Sequence, residues 1–130
     1  MIRYADLEDA KHAITKWDGD PSSVVHIGDH GNSVFSYKSR GGEHQILRFT
    51  DPNFRSYKEV VAELVFVNHL HSDGVLVAPA VFSLDKSLAI EVDCAKGKLI
   101  CSAVAFAKGI EVSESSPYWN DSFFMNGEGT

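Results

Sequence analysis

Cysteine is scarce in this 130-residue chain, with only Cys94 and Cys101, no CxxC pair and no Cys/His spacing of the kind that holds zinc. That argues against a stapled or zinc-built domain, and both thiols are expected to be reduced in a cytoplasmic protein. Positive charge is in deficit: 12 Lys and Arg stand against 18 Asp and Glu, for a net charge of −6. A nucleic-acid surface needs clustered cations to neutralise phosphates, so nucleic acid is not an expected partner. Long apolar runs are missing too. Stretches such as Leu64–Val67 fall far short of the roughly 20 residues that span a bilayer, so no membrane partner is expected. Arg3, Asp6, Glu8 and Asp9 interrupt the stretch where a secretory signal would carry its apolar segment. There are no repeats or low-complexity tracts. The length suits one soluble domain of the common size, about 100–150 residues.

What is present is a readable alternation of helix and strand patterns. Leu7, Ala10, Ile14 and Trp17 recur at helical spacing and predict an amphipathic helix over 5–17, broken by Gly19, Asp20, Pro21, Ser22 and Ser23. Three β-rich runs follow, Val24–Ile27, Val34–Lys38 and Gln45–Thr50, joined through Gly28/Gly31 and Gly41/Gly42 as two successive hairpins. Ser56 and Glu59 then have the S-x-x-E spacing of a capping box. Tyr57, Val60, Val61, Leu64, Val67 and His71 continue at i, i+3, i+4, i+7, predicting a helix that ends near Asp73-Gly74. The strand pattern returns in Ala80–Leu84, Leu88–Val92 and Leu99–Phe106. A two-residue turn at Lys96-Gly97 would set Cys94 opposite Leu99 and Cys101 opposite Val92, keeping the cysteines apart. The expected fold class is α+β: an antiparallel five- to six-stranded sheet, one long packed helix and a short N-terminal helix.

Three places could carry chemistry. Gly28-Asp29-His30-Gly31-Asn32-Ser33 lies between the first two strands. Glycines there let backbone N–H groups approach phosphate oxygens, although glycine is also the ordinary residue of a hairpin turn. Arg48 is a lone cation inside Ile46-Leu47-Arg48-Phe49, and a charge on a sheet face needs a partner or a ligand. Glu63, between Val60 and Val67 on the next helix, is placed to face inward; the alternative is a surface ion pair or two solvated charges. Finally, the apolar strand Ser102–Ala107 runs into Lys108-Gly109. A strand end of this kind can offer backbone groups to a flat base, or be a plain sheet edge. The histidines carry less: His69 and His71 cannot share a helix face, His12, His26 and His44 are scattered, and only His30 sits where it could approach a phosphate.

Taken in order, Gly-loop, strand cation, helix carboxylate and strand-to-loop junction resemble the amino-terminal lobe of the aminoglycoside phosphotransferase family, in the broad sense that includes choline and homoserine kinases. The matching segments are Gly31–Phe35, Ile46–Thr50, Ala62–Leu70, Gly74–Pro79, Ala103–Gly109 and Trp119–Phe124, covering roughly 24–130. The resemblance implies a protein-kinase-like fold. It makes residues 1–109 a nucleotide-binding lobe and 110–130 a linker toward a missing C-terminal lobe. It also implies that Gly28, Asp29, His30, Gly31, Asn32 and Ser33 cover the ATP phosphates, and that Arg48 contacts them while paired with Glu63. The backbones of Ala105 and Ala107 would hold adenine between Ile27, Val34, Ile46 and Val104. ATP and Mg2+ are the implied cofactors of a full-length parent, with no metal ligand in this chain.

Two departures stand out. Arginine occupies the position where the family has lysine, and a guanidinium also binds phosphate and carboxylate. No H-x-D-x-x-x-x-N catalytic loop is present: His71-Ser72-Asp73 opens like one, but Ala78 stands where Asn is required. The expectation is an ATP-binding lobe of a small-molecule phosphotransferase, inactive alone. The alternative is a truncated, inactive interaction module. Four aromatics, Tyr118, Trp119, Phe123 and Phe124, and the exposed cleft face could then serve a homodimer.

Overall fold

In the computed structural model, which describes residues 5–28 and 32–106, the first helix begins where a carboxylate can cap it. Helix α1 (Leu7–Ala13) opens on Asp6, whose side chain accepts from the Asp9 N–H while the Asp9 side chain accepts from the Asp6 N–H. The helix predicted through Trp17 tightens instead into a 3-10 turn over Ile14–Trp17 and stops at Asp18, which takes a left-handed φ of 56°. Gly19 follows because nothing larger fits. A Cβ there would lie 2.8 Å from Ile14 Cβ and 2.9 Å from two atoms of the Tyr37 ring. Gly19→Ala is therefore expected to cost about 1–3 kcal/mol by overpacking. The readout is a lower denaturant midpoint; an unchanged midpoint would mean that Tyr37 yields without strain.

The strands β1 (Val25–Gly28), β2 (Asn32–Lys38), β3 (His44–Thr50), β4 (Ala89–Cys94) and β5 (Gly97–Ala105) form one antiparallel sheet in the order β1-β2-β3-β5-β4. Alternation along the strands gives the sheet two buried faces. Phe35, Tyr37, Leu47, Phe49, Leu99 and Cys101 meet Ala10, Ile14 and Trp17 on one side. Val34, Ile46, Ile100 and Val104 meet Val60 and Leu64 on the other, where the long helix α2 (Tyr57–Ser72) lies.

Helix α2 has both predicted ends. Ser56 and Glu59 exchange the two bonds of a capping box. At the other end Gly74, with φ of +88°, lets its N–H reach His71 O and the Val75 N–H reach Leu70 O. His71 itself is exposed at that terminus.

Two expectations need correction. Ala80–Leu84 is not a strand: only Ala80 bridges Val104, flanked by bonds from Val81 N–H to Ala103 O and from Ala105 N–H to Pro79 O. Pro79 has no N–H to extend that ladder, and from Ser83 the chain turns back through Lys86 at φ of 69°. The turn joining β4 to β5 is Ala95-Lys96, one residue earlier than expected, because Gly97 already pairs with Cys94 and Val92 with Leu99. Cys101 thus faces Ile90, and both cysteines are free thiols. Burial, helped by the carboxylates of Asp9, Asp6 and Asp93, pushes Cys94 up to about 12. Burial also pushes Cys101 up, so neither is poised to react at neutral pH.

Candidate functional site

On β3, Arg48 sits level with Val34 of β2 and Ser102 of β5, so its side chain shares the α2 face of the sheet with Ile46. Only 6% of the side chain is exposed. A cation buried this far is tolerated where a carboxylate meets it. Glu63 does so from α2, one turn from Val60 and beside Leu64, with Arg48 Nη1 at 3.5 Å from Glu63 Oε2. A second cation, Arg55, reaches the other oxygen, with Nη1 at 2.7 Å from Oε1. The carboxylate is held between two guanidinium groups.

The helix carrying Glu63 is pinned near both ends. Tyr57 Oη donates to Ala89 O at 2.7 Å, and the Ala80 N–H donates to Asn68 Oδ1 at 2.7 Å. The turn before the helix is fixed by buried Asp51, whose carbonyl accepts from the Phe54 N–H and whose side chain accepts from the Asn53 N–H. These bonds set the height of Glu63 over β3.

The other predicted site residues distribute unevenly. Val34, Ile46 and Val104 lie on the Arg48 face within one buried cluster. Gly28 ends β1 and Asn32 begins β2. Ile27 is the extra residue where the register shifts between His26 and Gly28, and it is half exposed. Ser33 lies on the opposite face: it pairs with Phe49, and its hydroxyl accepts from the Ala5 N–H at 2.8 Å. The N–H of Ala105 is committed to Pro79 O. Asp29, His30, Gly31, Ala107 and the 110–130 linker lie outside the described residues.

Sequence reading missed Arg55 and Asn68. A signal for Arg55 existed. A cation just outside a helix N-terminus opposes the helix dipole and calls for a carboxylate, and Glu63 is two turns along the same side as Ser56. Asn68 had no such signal, because its partner is a backbone group twelve residues away.

No protein-family model and no curated protein matches the sequence. Solved structures do. Amicoumacin kinase hAmiN, in complex with AMP-PNP, Ca2+ and Ami, is 25% identical with a TM-score of 0.74, over 85% of this chain and 34% of that one. The chain has a kinase-like amino-terminal-lobe fold. The microcompartment-associated aminopropanol kinase has the same fold at 23% identity and a TM-score of 0.69, over 82% of this lobe and 33% of that chain. The lobe thus spans about a third of the length of the solved kinases it matches.

Proposed function

We propose that this lobe is the nucleotide-holding part of a small-molecule phosphotransferase, with ATP seated against the α2 face of the sheet. The observation that supports this reading is the buried Arg48–Glu63 pair beside an apolar wall of Val34, Ile46 and Val104. A guanidinium fixed by a carboxylate is preorganised to hold phosphate oxygens, and an apolar wall suits the face of a purine. The loop from Gly28 through Asp29, His30, Gly31 and Asn32 to Ser33 would cover the phosphates through backbone N–H groups. Ser33 would contribute only its backbone, since its hydroxyl is engaged by Ala5. Ala105 would meet adenine through its carbonyl and Ala107 through its backbone, because the Ala105 N–H is taken.

Among the described residues no three His, Cys, Asp or Glu come together, and Mg2+ would arrive on the nucleotide. Transfer of the γ-phosphoryl group to a hydroxyl would draw its base and acceptor contacts from a second lobe. The proposed acceptor is a small molecule, as amicoumacin is for the kinase that is 25% identical to this chain.

Calorimetric titration of the chain with Mg·ATP tests the reading. Binding is expected, and Arg48→Met should weaken it at least about tenfold, the worth of one charge-assisted hydrogen bond. Equal affinity in both proteins, or no uptake by the wild type, would sink it. In that case the interaction-module reading takes over. It is favoured by one feature, the edge strand β1, where Val25 and Ile27 are 56% and 45% exposed. Sedimentation would then show a dimer.

A further inference from the structure

Glu63 has two cationic partners where a nucleotide site of this kind uses one, and the two contacts differ. Arg55 Nη1 meets Oε1 at 2.7 Å, a close ion pair rather than an aligned hydrogen bond, while Arg48 Nη1 stands 3.5 Å from Oε2. They use separate oxygens and do not compete. Arg55 comes from the turn fixed by Asp51, directly before the Ser56 cap, so its backbone is held. The nearby carboxylate of Glu59 caps the helix through the Ser56 N–H, and its bonds to Ser56 first, then the charge of Arg55, hold it below the usual carboxylate range.

This arrangement answers a problem of charge. Were Arg48 the sole counter-charge of a 4%-exposed carboxylate, each step of its guanidinium toward phosphate would strip Glu63 of compensation, and an uncompensated buried charge is costly. With Arg55 on Oε1, Glu63 keeps a partner while Arg48 shares its donors with an anion.

We infer that Arg55 is a positioning residue of the nucleotide site: it holds Glu63 and thereby frees Arg48 to engage the phosphates. The inference rests on the nucleotide reading above and extends it to a residue that touches no ligand itself. Its effect should therefore appear only for ligands that carry phosphate.

The test is the affinity of the wild-type chain, Arg55→Met and Arg55→Lys for Mg·ADP and for adenosine, by titration calorimetry. Arg55→Met should weaken Mg·ADP about tenfold, as expected when the buried carboxylate loses one of its two counter-charges, and leave adenosine unchanged. Arg55→Lys keeps the charge but not the planar fork, so it should recover most of the Mg·ADP affinity. Should Arg55→Met fail to fold, Arg55→Lys carries the test: its Mg·ADP affinity should fall by about threefold, less than the tenfold expected for losing the whole ion pair, with adenosine again unchanged. Loss of both ligands in the same proportion, or of neither, overturns the positioning role while leaving nucleotide binding standing. Failure of the wild type to take up Mg·ADP is a different result, and it removes the nucleotide reading and this inference together.

Discussion

Glu63→Ala is expected to destabilise the lobe by about 3–5 kcal/mol, the cost of leaving buried charge without its counter-ion. The carboxylate is the shared partner of Arg48 and Arg55, whose side chains are 6% and 18% exposed. Removing it sets two guanidinium groups against one another beside Val60 and Leu64, with little water to screen them. Glu63→Gln should cost less, because the amide keeps an acceptor oxygen and the volume. Denaturant midpoints at constant slope give the comparison. A loss below about 1 kcal/mol would show that water reaches these charges and that the pair is a solvated one. A sharper separation comes from replacing all three together, as Arg48→Met, Arg55→Met and Glu63→Leu. An apolar cluster of similar volume is close to neutral for folding, yet it should abolish binding of Mg·ATP. The charges at these three positions would then be shown to serve ligand binding rather than stability.

Trp17→Ala is expected to cost a similar amount, about 3–5 kcal/mol, for a different reason. The indole is 3% exposed at the end of the 3-10 turn, packed with Ile14 and Tyr37 against the sheet face away from α2. Its Nε1 donates to Val81 O at 2.9 Å, and the Val81 N–H donates in turn to Ala103 O. The residue therefore fills the core and also steadies the segment Pro79–Val81 against the end of β5. Trp17→Phe keeps most of the volume and leaves the carbonyl unpaired, so it should cost about 1–3 kcal/mol. Amide exchange distinguishes the two contributions. In both variants the Ala105 amide, which donates to Pro79 O, should exchange faster relative to the amides pairing β2 with β3. Uniform acceleration across the sheet would mean that Trp17 contributes only to global stability.

These two sites also mark where local signals stop. The capping box at Ser56 and Glu59, the glycine cap at Gly74 and the spacing of Val60, Leu64 and Val67 are codes written within a few residues of the backbone groups they serve. The second helix was legible almost to the residue for that reason. Arg48 was legible as an anomaly, because a cation in an apolar strand is costly wherever the strand is placed. The first helix was only partly legible. Its apolar spacing runs through Trp17, but its last turn is a 3-10 turn followed by Gly19, which packs beneath Tyr37, a contact across eighteen positions. The strand expected at Ala80–Leu84 had the right residue types and lacked the neighbour: a strand exists only where another offers its N–H and C=O groups, and here that holds for little beyond Ala80.

By itself, then, the sequence determined the second helix, the start of the first, most strand segments, the α+β class and the two charges most in need of each other. Tertiary structure alone decided that β5 enters between β3 and β4. That insertion sets Ser102 and Val104 beside Arg48 and Ile46 on one face, while the β2–β3 register turns Ser33 to the other. It also decided that Glu63 answers to Arg55 as well as Arg48. The reason is one of range. Caps and periodicity are settled by the few residues on either side, whereas strand order and buried ion pairs depend on which distant surfaces gain most by leaving water together.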